Sequence, residues 1–180
     1  MKKVLIVIDM QNDFVSGSLG SPEAQAIVPN VVEKVKHWNG DAYFTRDTHY
    51  GNYFDTLEGQ KLPVSHCIVD TYGWHIIDEL RDYACNQYPG AGVICKGIID
   101  KNTFGYYGWA QKFNKYDEYE FELCGLCTDI CVISNALALR MFYPDAKITV
   151  DASCCAGVTP EKHAAALEVM KSCQIDVINE

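Results

Sequence analysis

The stretch that decides the fold lies near the start of the chain and reads VLIVIDMQNDF, residues 4–14. Its first half is entirely apolar, and the polar residues begin at Asp9. A short apolar run without strict alternation is typical of a strand that is covered on both faces. The stretch therefore predicts a buried strand with a polar loop at its carboxyl end.

Further apolar runs follow this strand and alternate with helical patterns. The predicted strands are residues 4–8, 42–45, 93–99, 119–124, 147–150 and 175–178. Helices are predicted from Pro22, over 74–85, after Tyr107, over 129–142, and from Pro160 to about Cys173. Alternating strands and helices pair the strands in parallel. We predict an α/β fold, a three-layer αβα sandwich with a mostly parallel six-stranded Rossmann-like sheet.

Composition limits the classes of function. The 180 residues are 48% hydrophobic and 22% charged, which excludes a disordered chain and fits a single domain over residues 1–180. A net charge of −9 without a basic cluster argues against nucleic acid as a partner. No apolar run is long enough for a membrane span. Nine cysteines, an odd number without an export signal, suggest reduced thiols and a cytoplasmic location.

Reactive side chains follow several of the predicted strands. In a parallel sheet of this kind, ligands bind beyond the carboxyl ends of the strands. Cys131 lies near the start of the helix over 129–142, where a helix dipole is expected to lower the thiol pKa. Asp9 is a candidate base, and Lys96 or Lys101 is a candidate cation beside it. Taken singly, these residues also fit a turn, a small apolar side chain and solvated lysines.

The region over residues 46–72 shows no convincing strand or helix pattern and is rich in metal-binding residue types. These residues are Asp47, His49, Asp55, Glu58, His66 and Asp70. Asp47 and His49 are two apart at a strand exit and so face the same side. The alternative is an ordinary solvated loop. Cys124 and Cys127 have the spacing of half a zinc site, but no matching second pair follows.

Five stretches of the chain carry a resemblance to a known family. They are residues 7–14, 45–49, 62–67, 100–105 and 125–132. In this order they resemble the isochorismatase-like cysteine hydrolases, and within them the nicotinamidase group. The resemblance implies a triad of Asp9, Lys101 and Cys131. It favours Lys101 over Lys96 because the family's lysine precedes a short step to an aromatic residue, here Phe104.

The same resemblance implies further parts of the site. A cis peptide precedes Cys127, and the backbone N–H groups of Cys127 and Cys131 form an oxyanion hole. The ligands of one divalent metal ion are Asp47, His49, Glu58 and His66. Zinc is the first choice, with iron and manganese as alternatives. Phe14, Leu19 and Phe104 are expected to line the substrate pocket. Some members carry an aromatic residue just before the last histidine, where this chain has residues 62–65.

The implied activity is hydrolysis of a small aromatic amide, nicotinamide to nicotinate and ammonia, through a cysteine thioester. Two alternatives stay open. One is a related enzyme that acts on a different amide, or on an enol ether without a thiol, although Cys131 and the candidate metal ligands argue against the enol ether. The other is a catalytically silent binding or scaffold protein, because fold does not prove function. A homo-oligomer is also left open.

Overall fold

The sheet is built from six parallel strands. The computed structural model describes residues 1–85, 92–114 and 117–180. The strands are β1 (Lys2–Ile8), β2 (Gly40–Asp47), β3 (Val93–Lys101), β4 (Tyr119–Leu126), β5 (Lys147–Ala156) and β6 (Asp176–Ile178). Their order is β3-β2-β1-β4-β5-β6, and every neighbouring pair is parallel. The predicted fold class is therefore confirmed.

Helices cover both faces of this sheet. They are α1 (Asn12–Val15), α2 (Pro22–His37), α3 (Leu57–Lys61), α4 (Asp78–Ala84), α5 (Trp109–Lys112), α6 (Ile133–Phe142) and α7 (Pro160–Ser172). Helix α2 packs on α4 and on strands β4 and β5, whereas α6 packs on α5 and α7. Among the described residues, none of the helices combines the length and the apolar character that a bilayer crossing requires.

The ends of β1 and β4 meet at the centre of the sheet. From Val4 to Ile8, β1 is at most 1% exposed, because strands flank both of its edges and helices cover both faces of the sheet. Gly125 in β4 pairs with Ile8 and has a φ of +119°. A Cβ at Gly125 would lie 2.0 Å from the Ile8 carbonyl oxygen, so only glycine permits this approach. The strand order reverses here, which is where such folds bind ligands.

Several element boundaries differ from those predicted. Strand β5 continues to Ala156, past the buried acidic residue Asp151 that interrupts its apolar run. The single helix predicted over 129–142 is a π-helical turn, Thr128–Val132, followed by α6. The region over 46–72 is not wholly irregular, because it contains α3. The Thr56 hydroxyl caps α3 by accepting a hydrogen bond from the Gly59 N–H at 3.0 Å.

Candidate active site

A buried ion pair joins the ends of β1 and β3. Asp9 follows β1 with a left-handed φ of +47°, and Lys101 is the last residue of β3. The Lys101 Nζ lies 2.6 Å from Asp9 Oδ2, and neither side chain is exposed. The Thr45 hydroxyl donates to Asp9 Oδ1 at 2.6 Å. Lys96, the other candidate, lies elsewhere on β3 and is 3.3 Å from Asp41 on the protein surface.

Cys131 lies beside this ion pair. It belongs to the π-helical turn that follows β4, and the residue is 5% exposed. Its Sγ is 3.6 Å from Lys101 Nζ, the same atom that pairs with Asp9 Oδ2. The Leu126–Cys127 peptide bond that precedes the turn is cis. The structure thus brings together the sulfur, the acid and the amine from three distant parts of the chain.

The four candidate metal ligands also converge. One ligand atom from each of Asp47, His49, Glu58 and His66 lies within 4.8 Å of the others. His49 Nε2 is 2.9 Å from Asp47 Oδ2 and 3.5 Å from Glu58 Oε1. His66 Nε2 is 3.5 Å and 3.7 Å from the same two oxygens. Two nitrogens and two carboxylate oxygens therefore face one small volume.

The surroundings of these four residues fit a cation. His66 Nδ1 lies 2.8 Å from the Val64 carbonyl oxygen, to which it donates when Nε2 is free to bind a metal. The Tyr53 ring packs at 4.8 Å from the His49 ring and 5.1 Å from the His66 ring. The orientation of both imidazoles is therefore fixed. A set of two imidazoles and two carboxylates suits zinc, iron or manganese.

One cavity connects the thiol with the metal-ligand cluster. Its volume is about 1010 Å³, and its wall is mostly apolar. Phe14, Leu19 and Phe104, the residues predicted to line the pocket, all lie in this wall. Cys127 and Cys131 line it as well, whereas Asp9 and Lys101 do not. The ion pair thus lies behind the sulfur, and the sulfur faces the cavity.

Comparison with known proteins places the chain in a family. The sequence profile of the Isochorismatase domain matches residues 3–180. The chain belongs to this family. It is similar to the nicotinamidase of Saccharomyces cerevisiae, with 24% identity over 99% of this chain and 100% of that protein.

Solved structures of similar proteins show the same fold. A nicotinamidase/pyrazinamidase from Bacillus subtilis is 26% identical and has a TM-score of 0.85, covering 99% of this chain and all of that one. A pyrazinamidase of Pyrococcus horikoshii in complex with zinc is 28% identical and has a TM-score of 0.76, with both chains fully covered. The family predicted from the sequence motifs is confirmed.

The protonation of this isochorismatase-family site differs from the sequence expectation. Burial raises the pKa of the Cys131 thiol well above its usual value, and the nearby Asp9 charge raises it further, against the lowering effect of Lys101. The expected low thiol pKa is therefore wrong, because burial outweighs the helix start. Burial likewise raises the pKa of Asp9, despite the opposing charge of Lys101. A buried thiol of this kind needs an adjacent base.

In the metal-ligand cluster, hydrogen bonds outweigh burial in setting the pKa values. Burial acts to raise the pKa of Asp47, but hydrogen bonds from His49 and His66 hold it well below the usual range. Burial acts to lower the pKa of His49, yet hydrogen bonds to Asp47 and Glu58 raise it to about 9. These groups thus strongly favour a positive charge among them, either a proton or a metal ion.

Sequence reasoning did not identify the residues that hold these groups in place. Thr45 supports Asp9, as described above. The Gln11 side chain accepts the Asp47 N–H at 2.7 Å and donates to the carbonyls of Asp47 and Trp74 at 2.9 Å and 2.8 Å. Gln11 lies in the motif that carried the family resemblance, so a signal was present. Tyr53, beside the two histidines, had no local signal in the sequence.

Proposed function

We propose that the chain hydrolyses nicotinamide, and similar aromatic carboxamides, to the carboxylic acid and ammonia. One observation supports this most strongly: a single cavity exposes Cys131 and the metal-ligand cluster, with the Asp9–Lys101 pair directly behind the sulfur. The relatives named above are nicotinamidases and pyrazinamidases, which act on amides of this kind. The single-domain organisation and the cytoplasmic location remain predictions.

In the first half of the reaction, Asp9 accepts the proton of the Cys131 thiol as the sulfur attacks the carboxamide carbon. A raised pKa suits Asp9 to this proton transfer, and Lys101 balances the negative charge that results. The backbone N–H groups of Cys127 and Cys131 donate to the oxyanion. The C–N bond then breaks, Asp9 returns its proton to the leaving ammonia, and a thioester remains on Cys131.

In the second half, water attacks the thioester carbon while Asp9 accepts a proton from that water. The new C–O bond replaces the C–S bond, and the proton returns to the sulfur of Cys131. The overall change consumes one amide and one water and releases one acid and one ammonia. Asp9 therefore acts as a base and then as an acid in each half of the reaction, and Lys101 holds it in place through each step.

The remaining cavity residues orient the substrate. Phe14, Leu19 and Phe104 pack against the aromatic ring. The side chains of Asp47, His49, Glu58 and His66 would hold one divalent ion, which when bound supplies a Lewis-acidic position for the ring nitrogen. Zinc is the first choice because the Pyrococcus horikoshii relative binds it, with iron and manganese as alternatives.

An ammonia-release assay tests the proposal. Nicotinamide should yield ammonia, and benzamide, which lacks the ring nitrogen, should react much more slowly. A chelator should abolish the nicotinamide reaction, and re-addition of zinc, iron or manganese should identify the ion that restores it. Equal rates on both amides, or activity that survives chelation, would favour an amidase with another substrate. No ammonia from any amide would favour a silent binding protein.

A further inference from the structure

Asn135 connects the turn that carries Cys131 to the loop that carries Phe104. It lies in the first part of α6 and is fully buried. Its Nδ2 donates to the Cys131 carbonyl at 2.8 Å and to the Phe104 carbonyl at 3.2 Å. Its Oδ1 accepts the Tyr106 N–H at 2.9 Å and the Trp109 indole N–H at 2.8 Å. The amide therefore uses both donors and both acceptor positions.

The loop that Asn135 holds lies tightly against α6. A Cβ at Gly105 would come within 3.0 Å of the Ser134 carbonyl oxygen and 3.3 Å of the Ser134 Cβ. The Thr103 hydroxyl donates to the Gly105 carbonyl at 2.7 Å and stiffens the same loop. Close packing and the Asn135 hydrogen bonds thus fix the loop independently of each other.

We propose that Asn135 is a positioning residue for the thiol chemistry. It sits one helical turn after Cys131, and the loop that it holds begins directly after Lys101. Through these two contacts it fixes the position of the sulfur relative to the cavity wall at Phe104. This inference rests on the proposed function, because it assigns Asn135 a part in amide hydrolysis. It adds a residue that touches neither substrate nor metal.

Two variants, each of which removes hydrogen bonds of a buried polar side chain, separate an effect on the position of the reacting groups from an effect on stability. Asn135→Ala removes all four hydrogen bonds. Tyr143→Phe is the control, because the buried Tyr143 hydroxyl donates to the carbonyls of Trp109 and Phe113 at 2.6 Å and 3.0 Å. Those contacts lie in the same layer of helices but involve neither Cys131 nor Phe104.

Both variants should lower the melting temperature, but their kinetics should differ. We expect Asn135→Ala to lower kcat for nicotinamide by about 10-fold to 100-fold, since small misplacements of reacting groups cost rates of this order. Tyr143→Phe should keep kcat within about 2-fold, as expected for a change away from the reacting groups. If kcat falls equally in both variants, or stays within that range in Asn135→Ala, the proposal is wrong.

Alkylation of Cys131 gives a readout that needs no amide substrate. Iodoacetamide transfers its carbamidomethyl group to the sulfur and releases iodide, and peptide mass spectrometry locates the product. The exposed Cys85 serves as the internal reference. Asn135→Ala should slow labelling of Cys131 relative to Cys85 by about 10-fold, because Asp9 no longer meets the thiol correctly. An unchanged or faster rate would overturn the proposal. A wild-type protein inactive on nicotinamide would contradict the proposed function, while this measurement would still decide the role of Asn135.

Gly105→Ala provides the test if Asn135→Ala does not fold. It keeps Asn135 but pushes the loop away from Ser134. A smaller fall in kcat and slower labelling of Cys131 are expected. If both rates match the wild type, the position of the loop does not matter to the sulfur, and the proposal fails.

Discussion

Two clusters of buried charge contain a lysine each, and a thiol that lines the cavity lies beside only one of them. Lys101 pairs with Asp9, and both side chains are wholly enclosed. Lys34 pairs with Glu122 and, at 2.7 Å, with Asp151, and its side chain remains 15% exposed. The comparison shows that a buried ion pair does not itself mark an active site. In the first cluster, Oδ2 of Asp9 pairs with Lys101 but accepts no directed hydrogen bond from the described residues, so the thiol of Cys131 can still donate to it.

The partners of the two acids make this difference concrete. Asp151 accepts hydrogen bonds from the backbone N–H and the hydroxyl of Ser153 and from the Asn179 side chain, in addition to its contact with Lys34. Asp9 Oδ2 has the Lys101 ion pair but no directed hydrogen bond among the described residues. Asp151 therefore accepts more directed hydrogen bonds than Asp9, whose Oδ2 remains free to accept the proton of Cys131.

The largest expected effect concerns Cys131. Cys131→Ala should lower turnover of nicotinamide on the order of 10⁴-fold or more, because the bond-forming atom is removed. Folding should survive, since a small apolar side chain replaces a buried thiol. Ammonia release measures the turnover, and circular dichroism shows whether the variant folds. Retained turnover in a folded variant would refute the role of the cysteine.

Lys101→Met should damage both stability and activity. Removing one member of a buried ion pair leaves the other uncompensated, so the free energy of unfolding should fall by about 3–5 kcal/mol. Turnover should fall at least about 100-fold because Asp9 loses the charge that holds it ionised. Urea unfolding and ammonia release measure these changes. An active and stable variant would show that Lys101 is dispensable.

Lys34→Met should lower stability and leave activity unchanged. Because Lys34 and Glu122 reach solvent and Asp151 keeps its other donors, the free energy of unfolding should fall by about 1–3 kcal/mol. The kcat for nicotinamide should stay close to that of the wild type. A large loss of turnover at temperatures where the variant is folded would mean that the two clusters are coupled.

The smallest expected effect is that Asp151 and Asp9 change the stability of the protein in opposite directions as the pH falls. Burial acts to raise the pKa of Asp151, but hydrogen bonds from Lys34 and Ser153 lower it overall. Its contribution to stability is therefore complete above the unfolded-state pKa of about 3.9 and is lost as the pH falls through the folded-state pKa. Asp9 has a raised pKa, so protonation of the folded state adds stability as the pH falls toward the same unfolded value.

Urea unfolding between neutral and acidic pH separates the two acids. Asp151→Asn should remove part of the loss of stability at low pH, and Asp9→Asn should remove the opposing gain. If the two variants follow parallel curves, the two acids do not differ in the way that their surroundings indicate.

The parts of the site that could be predicted are those set by strand ends and alternation. Asp9 follows the most apolar run in the chain, and the two-residue spacing of Asp47 and His49 places both on one side of a strand exit. These features are local, so the sequence displays them. The placement of Lys101 rather than Lys96 beside Asp9 required the family resemblance, because both lysines lie on the same strand.

The parts that could not be predicted depend on contacts between distant residues. Thr45 supports Asp9, and Asn135 bridges Cys131 to Phe104, but no periodicity marks a hydrogen-bond partner 30 or more residues away. The thiol pKa was misjudged for the same reason. A helix start is visible in the sequence, whereas the burial of Cys131 depends on how the sheet and helices pack together. Helix α3 was missed because five residues are too few for a helical pattern to stand out.

The position of Asp9 and Lys101 behind the sulfur has a consequence for inhibitor design. A compound in the cavity meets Cys131 but neither of the two charges, so an amine or a carboxylate added to reach them would gain nothing. Selective inhibitors should instead carry a carbon electrophile matched to the sulfur, with an aromatic body that fits beside Phe14 and Phe104.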